Sequence, residues 1–331
     1  MYQTDFNQNT RRRISDFLWK QWSDLGVSGH LPDDQTRFVD MEPFLLFSLD
    51  FARSDARLFD EILDWLRING RFVNITRLKV IQKQFEWLHQ NLIAAVAFYL
   101  VEEFRLDYWK PLCKINSSKE PENLFYLSDG SPIPVSLEKR DKAFLKMGWL
   151  RPQIKLRGLS TIINPLRTSA IQLKTRALLG VNARSDILCY LADGRKAYSN
   201  QIAKDLYYSR LTVQNTLHDL NVASVLQKLS EANKTLYSLN SDNPIFKKSE
   251  KHQWLNWVSF FNSLKKITDL HTEYSEDLNS RIFWVTLYEL MHTESRTLNK
   301  LGFDFTTPDF LTPEEYIKKF QRNFSELLEW L

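Results

Sequence analysis

The sequence predicts a mainly α protein with one small β-hairpin near its middle and helical domains before and after it. Three observations predict this. Only 9 glycines stand against 10 Trp, 12 Tyr and 22 Phe in 331 residues, a balance that suits helix-on-helix cores and argues against a glycine-rich nucleotide-binding fold. Apolar residues recur at helical spacing in both end regions. Strand-like pieces with a turn between them occur near 225–239. Hydrophobic residues at 43% and charged residues at 25% fit a packed chain rather than a disordered one. Collagen, disulfide scaffolds and low-complexity arrays are excluded. The longest apolar run, around Leu92–Val101, is about half the ~20 residues a membrane span needs.

The elements follow in order. Phe17, Leu18, Trp22 and Leu25 mark a first helix that stops at Gly26. The run Phe44-Leu45-Leu46-Phe47 is too continuous for a surface helix and must be buried. Asp55 caps a helix over Ala56–Asn69, ended by Asn69-Gly70, and Asn74 caps the next. Leu88–Phe104 is strongly apolar. Pro111, Asn116–Pro121, Asp129-Gly130 and Pro132/Pro134 mark loops, and a first domain closes near 138. A connecting segment, 139–182, has modest helical periodicity broken at Pro152 and Pro165. The best-defined unit spans 183–245. In the last region, 250–331, Trp254, Trp257, Val258, Phe261 and Leu264 are expected to share a face, as are Ile282, Val285, Leu287–Met291 and Leu298. Thr312 caps a final helix through Leu331.

Charge is uneven. Residues 1–141 carry a net −3, residues 142–185 a net +9 without one acid, residues 186–249 a net +2 and residues 250–331 a net −4. Such an excess points to a polyanion or to an internal dock for the acidic ends. The N-terminus, with Asp5 and then Arg11–Arg13, lacks the pattern of a signal peptide. Cys113 and Cys189 have no CxxC partner and suit a reducing compartment as buried thiols. A cytoplasmic protein is expected.

In the central unit, Ala183–Leu191 is a short helix ended by Asp193-Gly194. Ser199 caps a second helix, Asn200–Leu206, and small Ala203 lets the next helix cross closely. Tyr207-Tyr208 turns, and Ser209 caps a third helix, Arg210–Leu220. Val213, Leu217 and Leu220 form its buried stripe, while Arg210, Thr212, Gln214, Asn215 and His218 present hydrogen-bonding groups on the other face. Two strand-like pieces, Val225–Leu229 and Thr235–Leu239, then form a hairpin.

This order, with Ser199-Asn-Gln-Ile-Ala203 and Tyr208-Ser-Arg-Leu-Thr-Val-Gln-Asn-Thr-Leu217, resembles the winged helix-turn-helix domain of prokaryotic transcriptional regulators of the MarR/ArsR type. The resemblance covers about residues 183–240. It implies that the third helix reads DNA and that the hairpin is a wing touching the backbone or minor groove. The wing tip, Glu231-Ala-Asn-Lys234, departs from the pattern in lacking Arg and Gly.

The expected function is a sequence-specific, double-stranded DNA-binding transcriptional regulator, with Ser199, Gln201, Ser209, Arg210, Thr212, Gln214, Asn215, His218, Arg184 and Lys234 as DNA-contacting residues. Phosphate neutralisation by the basic segment would supply most of the affinity. The alternative is a helical adaptor or antitoxin-like partner whose winged helix contacts protein. No cofactor, metal or enzymatic activity is expected. GxSxG, P-loop, HExxH and GxGxxG motifs do not occur, and the His271-Thr-Glu273 and His292-Thr-Glu294 triplets place their ligand types on different faces of a helix. A homodimer is expected, because one helix reads few base pairs and Leu327-Leu328-Glu-Trp330-Leu331 needs cover.

Overall fold

The structure, a computed structural model, describes residues 2–29, 37–114, 120–127, 130–231, 234–240, 254–274, 281–300, 302–306 and 312–331, without the side chains of 2–8, 90, 137, 231, 234, 271, 313 and 314. It is mainly helical. It divides into two compact units, Lys20–Trp254 and Met1–Trp19 with Leu255–Leu331. The segments 20–138, 139–182 and 183–245 thus fall in one unit, while the first 19 residues join the C-terminal helices.

Helix α1 (Tyr2–Asp24) ends at Gly26, which takes φ +106°. A Cβ there would lie 2.8 Å from the Thr161 carbonyl oxygen, so both conformation and close approach require glycine. Helix α2 (Met41–Phe51) is buried from Met41 to Leu49, as its unbroken apolar run demands. Helix α3 (Ala56–Asn69) starts where the Asp55 carboxylate accepts the Leu58 N–H at 3.0 Å. Helix α4 (Ile75–Gln82) starts likewise at Asn74, which accepts the Arg77 N–H at 3.1 Å. These caps satisfy donors that the first helical turn leaves open. Helix α5 (Gln90–Phe104) follows. Strand β1 (Glu122–Asn123) pairs in parallel with β2 (Trp149–Leu150), across the short helix α6 (Lys142–Lys146).

Residues 151–167 contain no helix. They form a strap held to α3 by charge. Arg151 meets Asp60 at 2.5 Å, Arg157 meets Glu61 at 2.5 Å, and Asp64 accepts the Ser160 N–H at 3.0 Å. Arg167 reaches Asp24 at the end of α1, at 3.3 Å. Helix α7 (Ile171–Leu179) then carries Arg176 into the interior.

Next come α8 (Ala183–Leu191), β3 (Ala197–Tyr198), α9 (Ser199–Leu206), α10 (Arg210–Val222), β4 (Leu226–Glu231) and β5 (Lys234–Leu239). The strands form an antiparallel sheet in the order β3-β5-β4. Ile187, Leu191, Ile202, Leu206, Val213 and Leu217 are all fully buried in one core, which Phe38 and Trp254 complete. Trp254 packs on both Phe38 and Tyr190, with centroids 5.5 and 5.3 Å away. Ser199 is not a cap: α9 starts at Ser199 itself, after Tyr198, and its side chain caps nothing.

In the other unit, α11 (Trp257–Glu273), α12 (Arg281–Asn299) and α13 (Pro313–Trp330) share an aromatic core. The expected face of α12 is out of phase. Phe283, Leu287, Met291 and Leu298 are buried, whereas Ile282 and Val285 are exposed. Phe283, Leu287 and Met291 recur at i, i+4 and i+8 on the buried side, where the aromatic ring buries more area than Ile282 or Val285 would. Thr312 and Glu315 form a reciprocal capping box on α13. The C-terminal stripe finds cover in its own unit: Leu327 and Leu328 are buried, and Trp330 packs on Phe260 and Phe303 at 6.1 and 5.9 Å. That stripe therefore gives no reason for a dimer. Of the His-Thr-Glu triplets, the His271 side chain lies outside the described residues. Glu294 instead accepts from Ser263 and Lys266 at 2.5 and 2.8 Å. Among the described residues no cluster of His, Cys, Asp or Glu is arranged to hold a metal, and no helix is long and apolar enough to cross a membrane. Cys189 is buried, with its thiol pushed up to about 12 by burial, and Cys113 is half-buried.

Candidate nucleic-acid interface

Helix α10 forms because its apolar positions fall on one stripe and its start is capped. Ser209 accepts the Thr212 N–H at 3.1 Å, and the two hydroxyls meet at 2.7 Å. With Val213, Leu217 and Leu220 inward, Arg210, Thr212, Gln214, Asn215 and His218 are exposed. A groove of about 660 Å³ opens beside this face. It is lined by Tyr198, Ser199, Gln201, Gln214, Thr235 and Tyr237, so it joins the start of α9, the flank of α10 and strand β5. Its lining is hydroxyl and carboxamide rather than charged, which suits hydrogen-bond reading more than ion pairing.

The turn between α9 and α10 is anchored from behind. Tyr207 adopts the left-handed conformation, φ +59°, and closes α9. On either side of it, the Leu206 carbonyl accepts from Arg77 Nε at 2.8 Å, and the Tyr208 hydroxyl donates to Asp186 at 2.6 Å while accepting from Asn74 at 2.7 Å. These contacts lead into a cluster of five fully buried ionisable side chains: Asp40, Glu42, Arg77, Arg176 and Asp186. Arg176 grips both oxygens of Glu42 at 2.6 and 2.8 Å and both oxygens of Asp186 at 3.0 and 3.1 Å. Arg77 pairs with Asp40 and reaches Glu42 at 2.5 Å. Gln172 bridges Asp40 and Asp186, at 3.1 Å to each.

Three carboxylates face two guanidiniums, and the titration reflects it. Burial alone would raise Glu42, but Arg176, Arg77 and the Asn74 N–H outweigh burial and hold it at about 2. Asp40 is raised, because burial exceeds the pull of Arg77 while Glu42 and Asp186 push the same way. Burial, with Asp186 beside it, also raises the Tyr208 phenol, so it stays a hydrogen-bond donor.

The predicted residues are gathered unequally. Ser199, Gln201 and Gln214 line the groove. Arg210, Thr212, Asn215 and His218 are exposed along α10, and Ser209 is its cap. Arg184 is exposed but faces Asp219 at 3.5 Å, so its charge is partly engaged. Lys234 begins β5 opposite Glu231, and its side chain lies outside the described residues. The basic segment corrects the sequence reading. Arg151, Arg157, Arg167 and Arg176 all pair with acids of the N-terminal helical region. Only part of its positive excess, including exposed Lys142, Lys155 and Lys174, faces solvent. The internal dock, not a polyanion, takes most of those arginines.

Sequence reasoning missed Leu211, Tyr198, Thr235 and Tyr237. Helical phase alone would have found Leu211. The groove tyrosine and threonine of β5 needed the strand register. No protein-family model, curated protein or solved structure matches this chain.

Proposed function

We propose that residues 183–240 form a winged helix-turn-helix that binds duplex DNA, with α10 in the major groove and the β4–β5 hairpin as the wing, and that the chain is a non-catalytic transcriptional regulator. The observation that carries this reading is the exposed face of α10 continuing into the groove under the hairpin, where Gln201 and Gln214 converge. Carboxamides at such a surface match the donor–acceptor edges of bases. Phosphate contacts fall to Arg210 and the exposed Lys196, Lys204 and Lys228, since the strap arginines are engaged. Paired half-sites read by two copies remain part of the proposal, because a single helix reads few base pairs; light scattering of the bound and free protein tests it.

The second reading, a protein-docking adaptor, is favoured by two apolar side chains on the same face, Leu211 and Val222, which are 67% and 69% exposed. Titration of random duplex across a salt series separates the two. DNA binding predicts a linear fall of log affinity with log salt, with a slope of about −0.9 for each phosphate neutralised. Arg210→Ala should reduce that slope by about 1. Negligible duplex binding at low salt would leave the adaptor.

A further inference from the structure

Leu211 is the residue that a purely polar reading face leaves unexplained. It stands in the first turn of α10 and is two-thirds exposed. At about 100° per residue, Leu211, Asn215 and His218 follow one another along the side opposite Val213 and Leu217, with Gln214 next to Asn215. Arg210 and Thr212 flank this ridge, and the Thr212 hydroxyl already meets Ser209. The centre of the face thus offers a branched apolar tip, the Asn215 carboxamide and the His218 imidazole, with the Gln214 carboxamide on the groove side and a guanidinium only at the margin.

We infer that this ridge selects A·T pairs in the major groove, Leu211 packing on the thymine 5-methyl group while Asn215 and Gln214 take the adenine edge. The inference rests on the duplex-DNA reading above. Adenine presents one donor and one acceptor that a carboxamide matches in a bidentate contact, thymine carries the apolar methyl, and guanine's paired acceptors call for a cationic side chain. Side chains one helical turn apart have Cβ atoms about 5–6 Å apart, between one and two of the ~3.4 Å steps between neighbouring pairs. The methyl and adenine contacts therefore fall within two steps of each other. A docking ridge for protein would keep apolar residues on consecutive turns. Here Asn215 and His218 separate Leu211 from Val222.

The test uses the full chain. Selection from a randomised duplex pool should return A·T-rich sites. Replacing thymine by deoxyuridine in the selected duplex deletes only the 5-methyl group and should weaken wild-type binding about fourfold per contacted methyl. Leu211→Ala should bind the thymine and uracil duplexes equally, and Asn215→Ala should lose the preference for A·T over G·C. Equal wild-type binding to thymine and uracil duplexes overturns the inference and leaves the duplex-DNA reading standing. Absence of binding to any duplex overturns both. Conversion of a dimer to a monomer by Leu211→Ala, with no thymine–uracil difference, assigns the ridge to protein contact and also overturns it.

Discussion

Arg176 and Arg184 lie eight residues apart in the same acid-free stretch, yet they have opposite fates. Arg176 is fully buried and makes four hydrogen bonds to Glu42 and Asp186. Arg184 sits at the start of α8, exposed, with one long contact to Asp219. Their sequence surroundings give no hint of this. Which helix face each occupies, and what acids the rest of the chain delivers there, decides it. A buried arginine is committed to its partners because leaving them means uncompensated charge in a poor dielectric. An exposed one keeps its water and exchanges partners at little cost. Net positive charge in a segment is thus a weak guide to what the segment binds.

The comparison breaks first at Arg176. Arg176→Ala leaves Glu42 and Asp186 buried without their shared cation and should cost about 3–5 kcal/mol, seen as a lowered urea midpoint. An effect below ~1 kcal/mol would mean the cluster is hydrated in solution. Acid titration sharpens the point. Glu42 is held at about 2 in the folded chain against 4.5 otherwise, so its stabilisation is complete above pH 4.5 and is lost as pH falls through about 2. Asp40 acts in the opposite sense, since its raised value makes protonation favour the fold. The stability gap between wild type and Glu42→Gln should therefore be constant from pH 7 to 5 and narrow below 4.5, as denaturant midpoints at each pH would record. A gap that widens on acidification would contradict the assignment of Glu42 to the arginines. The smallest effect belongs to the exposed member: Arg184→Ala should change stability by no more than about 0.5 kcal/mol, measured by the same denaturation.

Much of the helical framework was legible because its signals are local. Asp55, Asn74, Ser209 and Thr312 cap the helices they precede, each through a bond to an N–H three residues on. The Val213–Leu217–Leu220 stripe needs nothing beyond helical phase. Of the candidate interface, the exposed polar residues of α10 were legible for the same reason. Leu211 was legible too, since helical phase alone places it opposite Val213 and Leu217 and so outward, as its 67% exposure bears out. Tyr198 and Tyr237 stayed hidden because a groove belongs to no single element.

The sequence by itself determined the helical class, the order of the three central helices and the hairpin after them, and the inward face of α10, since capping, periodicity and turn chemistry act within a few residues; the strand β3 and the exact ends of α9, α10 and the hairpin strands came only with the structure. Tertiary structure alone decided that Arg151 and Arg157 pair with α3, that Trp330 is covered by Phe260 and Phe303, and that Arg77 and Asn74 tie the turn before α10 to the N-terminal region. Each of these joins residues that are far apart in the chain. Burial and ion pairing depend on which surfaces meet, and no local pattern of residues encodes that meeting.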